Sequence, residues 1–285
     1  MKISLIIPTR YSVKFLPNLI NSIEKQKFRY YEVIVVDEFS NDGTKEYLKK
    51  KNLKFFQSGP ERSIKRNFGA KKSIGELLYF IDSDMILTEY LLEDIVKIMD
   101  KNKNLYALYV KEKSFGDSFW AKCKILEKKI YANEKNMSAA RVFRTEKFNE
   151  INGYDENCIG VEDFEISERL ENLYPNCIGF SNEYILHNEG QLTLVETLKK
   201  KFYYGNTIGS STRISKLTQR KLFKRSSIIT RLKLFLKYNY LFFKQPVVFI
   251  GMVYMKFLEL SFGFFGYLSA KSKILRINDK KIYKK

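Results

Sequence analysis

Two carboxylates one residue apart interrupt an apolar stretch in LLYFIDSDMIL, residues 77–87. Asp82 and Asp84 directly follow the run Leu77–Ile81, with Ser83 between them. Carboxylate oxygens at this spacing can share Mg²⁺ or Mn²⁺, and such an ion can bridge the diphosphate of a nucleotide. The tripeptide alone is more typical of a solvated turn, because acidic pairs are common on protein surfaces. Its position at the end of a predicted strand favours the metal site.

A second acidic pair opens a predicted helix in GVEDFEISERL, residues 160–170. Gly160 breaks the chain, so Glu162 and Asp163 fall in the first turn, where the helix dipole favours ionised carboxylates. An ionised carboxylate is what a general base needs to take the proton from an attacking hydroxyl. The alternative is a plain helix start with a Glu165–Arg169 ion pair, which does not exclude a base.

Strand and helix patterns alternate around these residues. Apolar runs predict strands at Ile3–Ile7, Val33–Val36, Leu53–Phe56 and Leu77–Ile81, with helices at 13–26, 44–50 and 61–74 between them. Farther along, the pattern predicts strands at 105–110 and 139–143 and helices at 117–131 and 161–173. Such alternation indicates parallel βαβ units, in which ligands bind beyond the carboxyl ends of the strands. Those ends carry Thr9 and Arg10, Asp37, and Asp82 with Asp84, which we expect to meet at one edge.

Charge is distributed unevenly along the chain. The formal net charge is +19, yet residues 191–285 hold 21 basic and 3 acidic residues, which leaves the first 190 residues close to neutral. A basic rear third implies an anionic partner, either nucleic acid or an acidic membrane surface. Three widely spaced cysteines without a CxxC pair and an N-terminus without a signal-peptide pattern favour a cytoplasmic setting.

Five stretches in order carry a family resemblance: SLIIPTR, YEVIVVDEFSNDGT, RNFGAKKSIGELLYFIDSDM, FNEINGYDE and GVEDFEISERL. Together they resemble a family 2 glycosyltransferase with the GT-A fold, over roughly residues 1–190. The resemblance implies a mostly parallel α/β sheet flanked by helices, a nucleotide-sugar half at about 1–102 and an acceptor half at about 103–190. One departure is Asp37-Glu38-Phe39, where the family often has Asp-Asp and a small residue. This departure leaves the base or sugar preference open.

The resemblance also implies roles for individual residues. It assigns nucleotide-sugar binding to Pro8, Thr9, Arg10, Asp37, Arg66, Asn67, Asp82, Ser83 and Asp84, with Gly69 allowing close backbone approach. Asp84, with Asp82 and the single histidine His187, would hold Mn²⁺ or Mg²⁺. Asp163 would be the base, and Glu162 would orient the acceptor. Arg141 and Arg144 would hold a diphosphate or a phosphorylated acceptor, although ordinary salt bridges explain either arginine equally well.

The rear third combines basic residues with a long apolar segment. Val247–Ala270, if helical, spans about 36 Å, enough for a bilayer core. However, Lys256 and Glu259 lie near its middle and share a stripe with small residues. We therefore expect two helices embedded in the cytoplasmic leaflet, at 228–243 and at 247–270. A single spanning helix and a soluble helical subdomain closed by dimerisation are the alternatives.

The function expected from the resemblance is metal-dependent, inverting transfer of a sugar. The donor would be a UDP- or GDP-sugar, and the acceptor a hydroxyl or phosphate of a lipid-linked or glycan molecule, at the cytoplasmic face of a membrane. Two alternatives remain at this level. The basic aromatic tail also suits a nucleic-acid-binding protein. The second alternative is a GT-A protein that binds a nucleotide without catalysing a reaction. A homo-oligomer is compatible with the enzyme and with both alternatives.

Overall fold

The computed structural model describes residues 1–132, 134, 137–210 and 227–282. Side chains at 209, 210, 228 and 273–282 lie outside this description. The chain forms two compact units. Unit 1 consists of Met1–Ser114, Ser138–Glu156 and Val161–Asn188, and unit 2 of Phe115–Met137, Asn157–Gly160 and Glu189–Lys285.

Unit 1 is built on an eight-stranded sheet. Its strands are β1 (Ile3–Thr9), β2 (Tyr31–Asp37), β3 (Phe55–Gln57), β4 (Leu77–Phe80), β5 (Met85–Leu87), β6 (Ala107–Phe115), β7 (Val142–Arg144) and β8 (Ile178–Asn188). Their order across the sheet is β3-β2-β1-β4-β7-β6-β8-β5. The first four strands are parallel, whereas β7 is antiparallel to β4 and to β6, and β5 is antiparallel to β8.

Helices separate the parallel strands as the sequence pattern predicts. Those of unit 1 are α1 (Leu16–Glu24), α2 (Thr44–Lys50), α3 (Arg62–Lys71), α4 (Leu91–Lys101), α6 (Thr145–Glu150) and α7 (Glu162–Leu173). All seven residues of β1 are buried, as expected for a central strand covered on both faces. A Cβ on Gly69 would lie 2.5 Å from Ile6 Cγ2, so the glycine lets α3 pack directly on β1.

Two strands escape the sequence pattern. β5 has only three residues directly after the acidic loop, residues 82–84, and the buried residues of β8, Ile178, Ser181 and Ile185, do not follow the alternation of a half-buried strand. Their pairing places Met85 opposite His187, so the acidic loop and the single histidine become neighbours. This antiparallel pair, formed by residues about a hundred positions apart, completes the sheet beside the predicted ligand edge.

The described part of unit 2 is mainly helical. Its helices are α5 (Phe119–Tyr131), α8 (Leu194–Ser210), α9 (Ile228–Lys237), α10 (Tyr240–Lys244) and α11 (Pro246–Ile282). Cys123, Leu126 and Ile130 of α5 share an apolar cluster with Met252 and Met255 of α11. The helices α8 and α11 approach closely at glycines, since a Cβ on Gly205 would lie 1.9 Å from the carbonyl oxygen of Gly263. The helix predicted at 228–243 is instead two short helices, α9 and α10, with a break at Tyr238 and Asn239.

One described helix is long and apolar enough to cross a bilayer, judged by length and composition alone. It is the Pro246–Ser272 part of α11, of which 28% is buried in the protein.

Candidate active site

The carboxyl ends of β1 and β2 lie side by side, with Thr9 paired to Asp37. The Thr9 hydroxyl donates to Asp37 Oδ1 at 2.9 Å, and Ser40 donates its backbone N–H and its hydroxyl to the same carboxylate. Asp37 is fully buried. In this conformation it fixes the loop that follows β2, and its expected contact with a nucleobase stays a prediction.

The unusual Glu38 has a clear structural role beside this loop. Lys65 Nζ lies 2.6 Å from its carboxylate and also donates to the Thr9 carbonyl, and Arg10 lies 3.4 Å away. Lys65 is 3% exposed, and burial lowers its pKa, although Glu38 opposes the shift. Glu38 and Lys65 therefore tie the β2 loop to α3, a link that the sequence patterns did not reveal.

Arg66 is the centre of the site. Its fully buried guanidinium lies 3.0 Å from Asp82 Oδ1 and 2.6 Å from Asp163 Oδ1. The Tyr154 ring covers it, with 5.1 Å between the Arg66 Cζ and the ring centroid. Glu162 lies 3.8 Å from the same guanidinium and is held at 3.1 Å by Arg62. The carboxylates that follow β4 and those that open α7, far apart in sequence, therefore meet on one cation.

A second chain of contacts connects the acidic loop to His187. Arg141 lies 3.2 Å from Asp82 Oδ2 and 3.7 Å from Glu112 Oε2. Glu112 Oε1 in turn lies 2.6 Å from His187 Nδ1, and His187 Nε2 lies 3.3 Å from Asp84 Oδ2. A continuous chain of side-chain contacts thus runs from Asp84 through His187, Glu112, Arg141, Asp82 and Arg66 to Asp163.

Burial and the neighbouring arginines act in opposite directions on the pKa values of Asp82 and Glu162. Burial would raise the pKa of Asp82, but Arg141, Arg66 and Arg62 together hold it well below its usual range. Burial raises the pKa of Glu162, the negative charge of Asp163 adds to the shift, and Arg62 only partly opposes it. Neighbouring carboxylates whose pKa values are pushed apart in this way are typical of sites where one group binds charge and another holds a proton.

The donor atoms around Asp84 fit a divalent cation. Asp84 Oδ1 is buried without a hydrogen-bond partner among the described residues, and Oδ2 faces the His187 imidazole. A buried carboxylate oxygen without a donor is costly unless a cation or water satisfies it. Oxygen ligands with one imidazole suit Mn²⁺ or Mg²⁺. Asp84 and His187 are the residues that would hold such an ion.

The other predicted residues have mixed placements. The Asn67 side chain is bonded to the Tyr154 backbone and to Glu156, and the Ser83 hydroxyl is bonded to Ser12, so both shape loops around the site. Pro8 lies within β1 opposite Val36.

Arg144 is not brought to this cluster. Its guanidinium donates to the carbonyls of Leu105 and Met99, at the C-terminal end of α4 and just beyond it. The sequence left a salt bridge or a phosphate ligand open for Arg144, and its contacts favour neither, because carbonyls at a helix end attract a cation.

Sequence reasoning missed Arg62 and Glu112. Arg62 was not noticed because it lies in a run of basic residues that reads as a solvated helix face. Glu112 lies on β6, where strand alternation puts it on the same side as Val110, and a carboxylate on that side was the signal available.

Three comparisons relate this chain to known proteins. Poly(ribitol-phosphate) beta-N-acetylglucosaminyltransferase TarS of Staphylococcus aureus is 37% identical over 113 residues, which are 36% of this chain and 19% of TarS. The aligned stretch is thus about a fifth of that relative. A crystal structure of a TarS fragment in complex with UDP-GlcNAc matches 97% of this chain and 92% of the fragment, with a TM-score of 0.53 and 20% identity.

A mannosyltransferase of Pyrobaculum calidifontis, solved with GDP-Man and Mn²⁺, matches 93% of this chain and 86% of its own, with a TM-score of 0.64 and 12% identity. These likenesses confirm the expected GT-A fold. The model of the family described as Glycosyl transferase family 2 matches residues 4–157, more than half of the chain. The chain therefore belongs to glycosyl transferase family 2.

Proposed function

We propose that this protein is a metal-dependent glycosyltransferase that moves a sugar from a UDP- or GDP-sugar to an acceptor hydroxyl or phosphate. One observation carries the proposal: the buried guanidinium of Arg66 holds Asp82 at 3.0 Å and Asp163 at 2.6 Å. The residue assigned to the donor and the residue assigned to the base thus share one cation. A single bound donor can then reach both.

The donor would bind along the edge formed by β1, β2 and β4. Cationic side chains near this edge, Arg10, Arg62 and Arg141, suit a diphosphate, because guanidinium groups bind phosphate oxygens in bidentate fashion. Support for a nucleotide-sugar comes from the two similar solved structures, one in complex with UDP-GlcNAc and the other with GDP-Man. Which of the two nucleotides this chain prefers is part of the test below.

Asp84 and His187 would hold the divalent cation, with Asp82 nearby and itself bound by two arginines. When bound, such an ion neutralises negative charge that develops on a departing diphosphate. Glu112 would fix the orientation of the His187 ring, so that Nε2 faces Asp84.

Asp163 is the proposed base. Its Oδ1 accepts a hydrogen bond from Arg66, and 20% of its side chain remains exposed to an incoming acceptor. The acceptor oxygen forms a bond to the anomeric carbon while the bond from that carbon to the diphosphate oxygen breaks. The electron pair leaves with the diphosphate, and the hydroxyl proton passes to Asp163. One displacement without an enzymic nucleophile inverts the anomeric centre. Glu162, whose pKa is raised by burial, would position the acceptor through a hydrogen bond.

A lipid-linked or glycan acceptor at the cytoplasmic face of a membrane is the proposed setting. The name of TarS describes transfer to a poly(ribitol-phosphate), an anionic polymer. A rear third with 21 basic and 3 acidic residues suits an anionic acceptor or surface.

A donor screen and two substitutions test the proposal. Thermal shifts with UDP-, GDP- and dTDP-sugars plus Mn²⁺ should single out one nucleotide. Asp84→Ala should slow Mn²⁺-dependent donor hydrolysis. Asp163→Asn should keep donor binding and lower transfer about 10²–10⁴-fold. Asp100→Asn, at an exposed pair with Lys103, is the control and should change neither. Equal hydrolysis in Asp84→Ala would remove the metal from the proposal, and retained transfer in Asp163→Asn would place the base elsewhere.

A further inference from the structure

The C-terminal helix α11 presents two different faces. Of the eight large apolar side chains exposed on its described part, seven lie on one face of the helix, mostly at steps of three, four or seven residues, and Phe262 lies beside that face. The seven are Val247, Ile250, Tyr254, Phe257, Phe264, Phe265 and Leu268. We call these residues the aromatic stripe. They are between 45% and 68% exposed, although each would be expected to avoid water.

The opposite face of α11 carries the two charged residues between Pro246 and Ala270, Lys256 and Glu259, and both are bound inside unit 2. Lys256 and Glu259 are buried and contact each other. Lys124 of α5 lies 2.8 Å from Glu259 and 2.8 Å from Glu127, and Lys256 lies 2.5 Å from Glu127. This four-residue ion network fixes which side of α11 faces α5. The two charged residues that argue against a bare spanning helix are therefore already satisfied by the protein.

Close backbone packing fixes the same orientation. Besides the approach at Gly205, a Cβ on Gly266 would lie 2.1 Å from the carbonyl oxygen of Phe202 in α8. Small residues at these positions let α8 and α11 touch through their backbones. Rotating α11 about its axis would break both the glycine contacts and the ion network, so the aromatic stripe cannot turn inward.

The short helices α9 and α10 also expose apolar and basic side chains next to each other. On α9, Leu232 and Leu236 are exposed beside Lys233 and Lys237, and on α10 Phe243 is 80% exposed beside Lys244. These lysines belong to the strongly basic rear third of the chain. Apolar side chains flanked by lysines are complementary to a lipid surface with anionic headgroups.

We propose that α11 lies in the plane of one leaflet of an anionic membrane and inserts the aromatic stripe among the acyl chains, without crossing the bilayer. The stripe runs from Val247 to Leu268, about 32 Å along the helix axis. A crossing would carry the ion network into the hydrocarbon with its partner α5, whose 13 residues are too short to span. This proposal makes the membrane setting given under the proposed function more specific. It does not depend on which donor or acceptor the protein uses.

Vesicle flotation of the full chain tests the proposal. Wild type should float with vesicles of phosphatidylcholine plus phosphatidylglycerol, and much less with phosphatidylcholine alone. Phe257→Glu and Phe264→Glu should each lower partitioning about tenfold or more. Leu173→Glu is the matched control, because Leu173 in unit 1 and Phe257 are both 59% exposed. Its partitioning should equal that of wild type. Circular dichroism spectra and melting curves confirm that each variant is folded.

Insertion depth distinguishes lying in the leaflet from spanning it. Single cysteines at Val247, Phe257 and Leu268, each carrying a nitroxide, are introduced one at a time into a chain whose three native cysteines are replaced by alanine. In-plane binding predicts similar shallow depths at all three positions. A spanning helix predicts a deep middle label and two labels near opposite surfaces, which would overturn the proposal.

Two other partners give different outcomes. If a second copy of the chain covered the stripe, Phe257→Glu would convert a dimer to a monomer in light scattering without lipid, and vesicle binding would not depend on the stripe. If the rear third bound nucleic acid, an RNA probe would shift equally with wild type and Phe264→Glu, and wild type would not float. Either result, or equal flotation of stripe and control variants, overturns the proposal. Donor hydrolysis in detergent-free buffer should be unchanged by Phe257→Glu, so a failure here leaves the proposed transferase activity standing.

Discussion

Units 1 and 2 both bury networks of Lys or Arg with carboxylates, but they use them differently. In unit 1, the contacts of Arg66 with Asp82 and Asp163 leave part of each carboxylate exposed, and Asp84 keeps a buried oxygen without a partner among the described residues. In unit 2, Lys256 and Glu259 are almost fully covered by each other and by α5.

The two units also differ in the apolar residues that they expose. The large apolar residues that unit 1 exposes, such as Phe39, Ile74 and Leu173, are far apart in the sequence, whereas those of α11 in unit 2 form a helical stripe. A buried ion network therefore does not by itself indicate a ligand site. The useful distinction is whether its polar atoms are all satisfied by the protein or remain available to a ligand. Buried pairs of the first kind position helices, and those of the second kind mark the site.

The largest effect is expected for the cation at the centre of unit 1. Arg66→Met leaves three carboxylates close together without their shared guanidinium, so the free energy of unfolding should fall by about 3–5 kcal/mol. Urea unfolding followed by circular dichroism measures this change. Lys54→Met, at an exposed pair with Glu32, should cost less than ~1 kcal/mol.

A rescue sharpens that result. Adding Asp163→Asn to Arg66→Met removes one of the uncompensated charges and should restore part of the lost stability. If Arg66→Met were no more destabilising than Lys54→Met, the network would not organise unit 1, and the contrast with unit 2 would fail.

The second prediction concerns metal binding by the polar atoms of unit 1. Glu112→Ala removes the partner of His187 Nδ1 and should weaken Mn²⁺ binding about 10–100-fold, as measured by electron paramagnetic resonance with UDP present. Glu112→Gln retains an acceptor for the imidazole N–H and should bind Mn²⁺ nearly as well as wild type. In unit 2, Glu127→Ala should leave Mn²⁺ affinity unchanged. Equal weakening by both alanine variants would mean a general loss of structure.

The third prediction tests whether packing positions the stripe of unit 2. Gly205→Ala introduces a methyl group against the backbone of α11 and should cost about 1–3 kcal/mol. Gly263→Ala is its control, because its nearest neighbour would be the Lys201 carbonyl oxygen at 3.8 Å. It should be neutral or stabilising by up to ~1 kcal/mol. Trp120, the single tryptophan of the chain, lies in α5 and reports unfolding of unit 2 by fluorescence. Similar costs for both variants would contradict the close helix contact.

The last prediction is a dependence of stability on pH. Glu259 pulls the pKa of Lys201 upward, but burial and the positive charges of Lys124 and Lys256 outweigh it and lower that pKa from 10.5 to about 8. The folded protein then holds this proton more weakly than the unfolded chain does. Stability should therefore rise as pH increases from about 8 toward 10.5, and be lower below that window.

Lys201→Met should flatten this rise, as measured by urea unfolding at several pH values with Trp120 fluorescence. Lys199→Met, at an exposed position on the same helix, should leave the slope unchanged. An identical slope in wild type and Lys201→Met would show that Lys201 does not titrate in this window.

Local sequence was enough for the parallel part of the fold and for the position of the acidic loops. Strands β1, β2 and β4 and the start of α7 at Glu162 agree with prediction within a few residues, because apolar runs and an acidic first turn are short-range signals. Strand β8 was missed, since its buried residues do not recur at every second position and include the polar Ser181. The contacts of Arg66, Glu112 and Arg144 were also beyond prediction. The local sequence around a basic or acidic residue does not show which residue, distant in sequence, it will contact in the folded chain.

Sequence by itself determined the family, the α/β order of unit 1 and the chemical types available at its edge, because these depend on spacing along the chain. Tertiary structure alone decided that Asp82 and Asp163 share Arg66, and that Lys256 and Glu259 face α5 while the aromatic stripe faces outward. Both outcomes are set by the pairing of buried charges from distant segments. Such a charge is stable only with a partner, and only the folded chain supplies one.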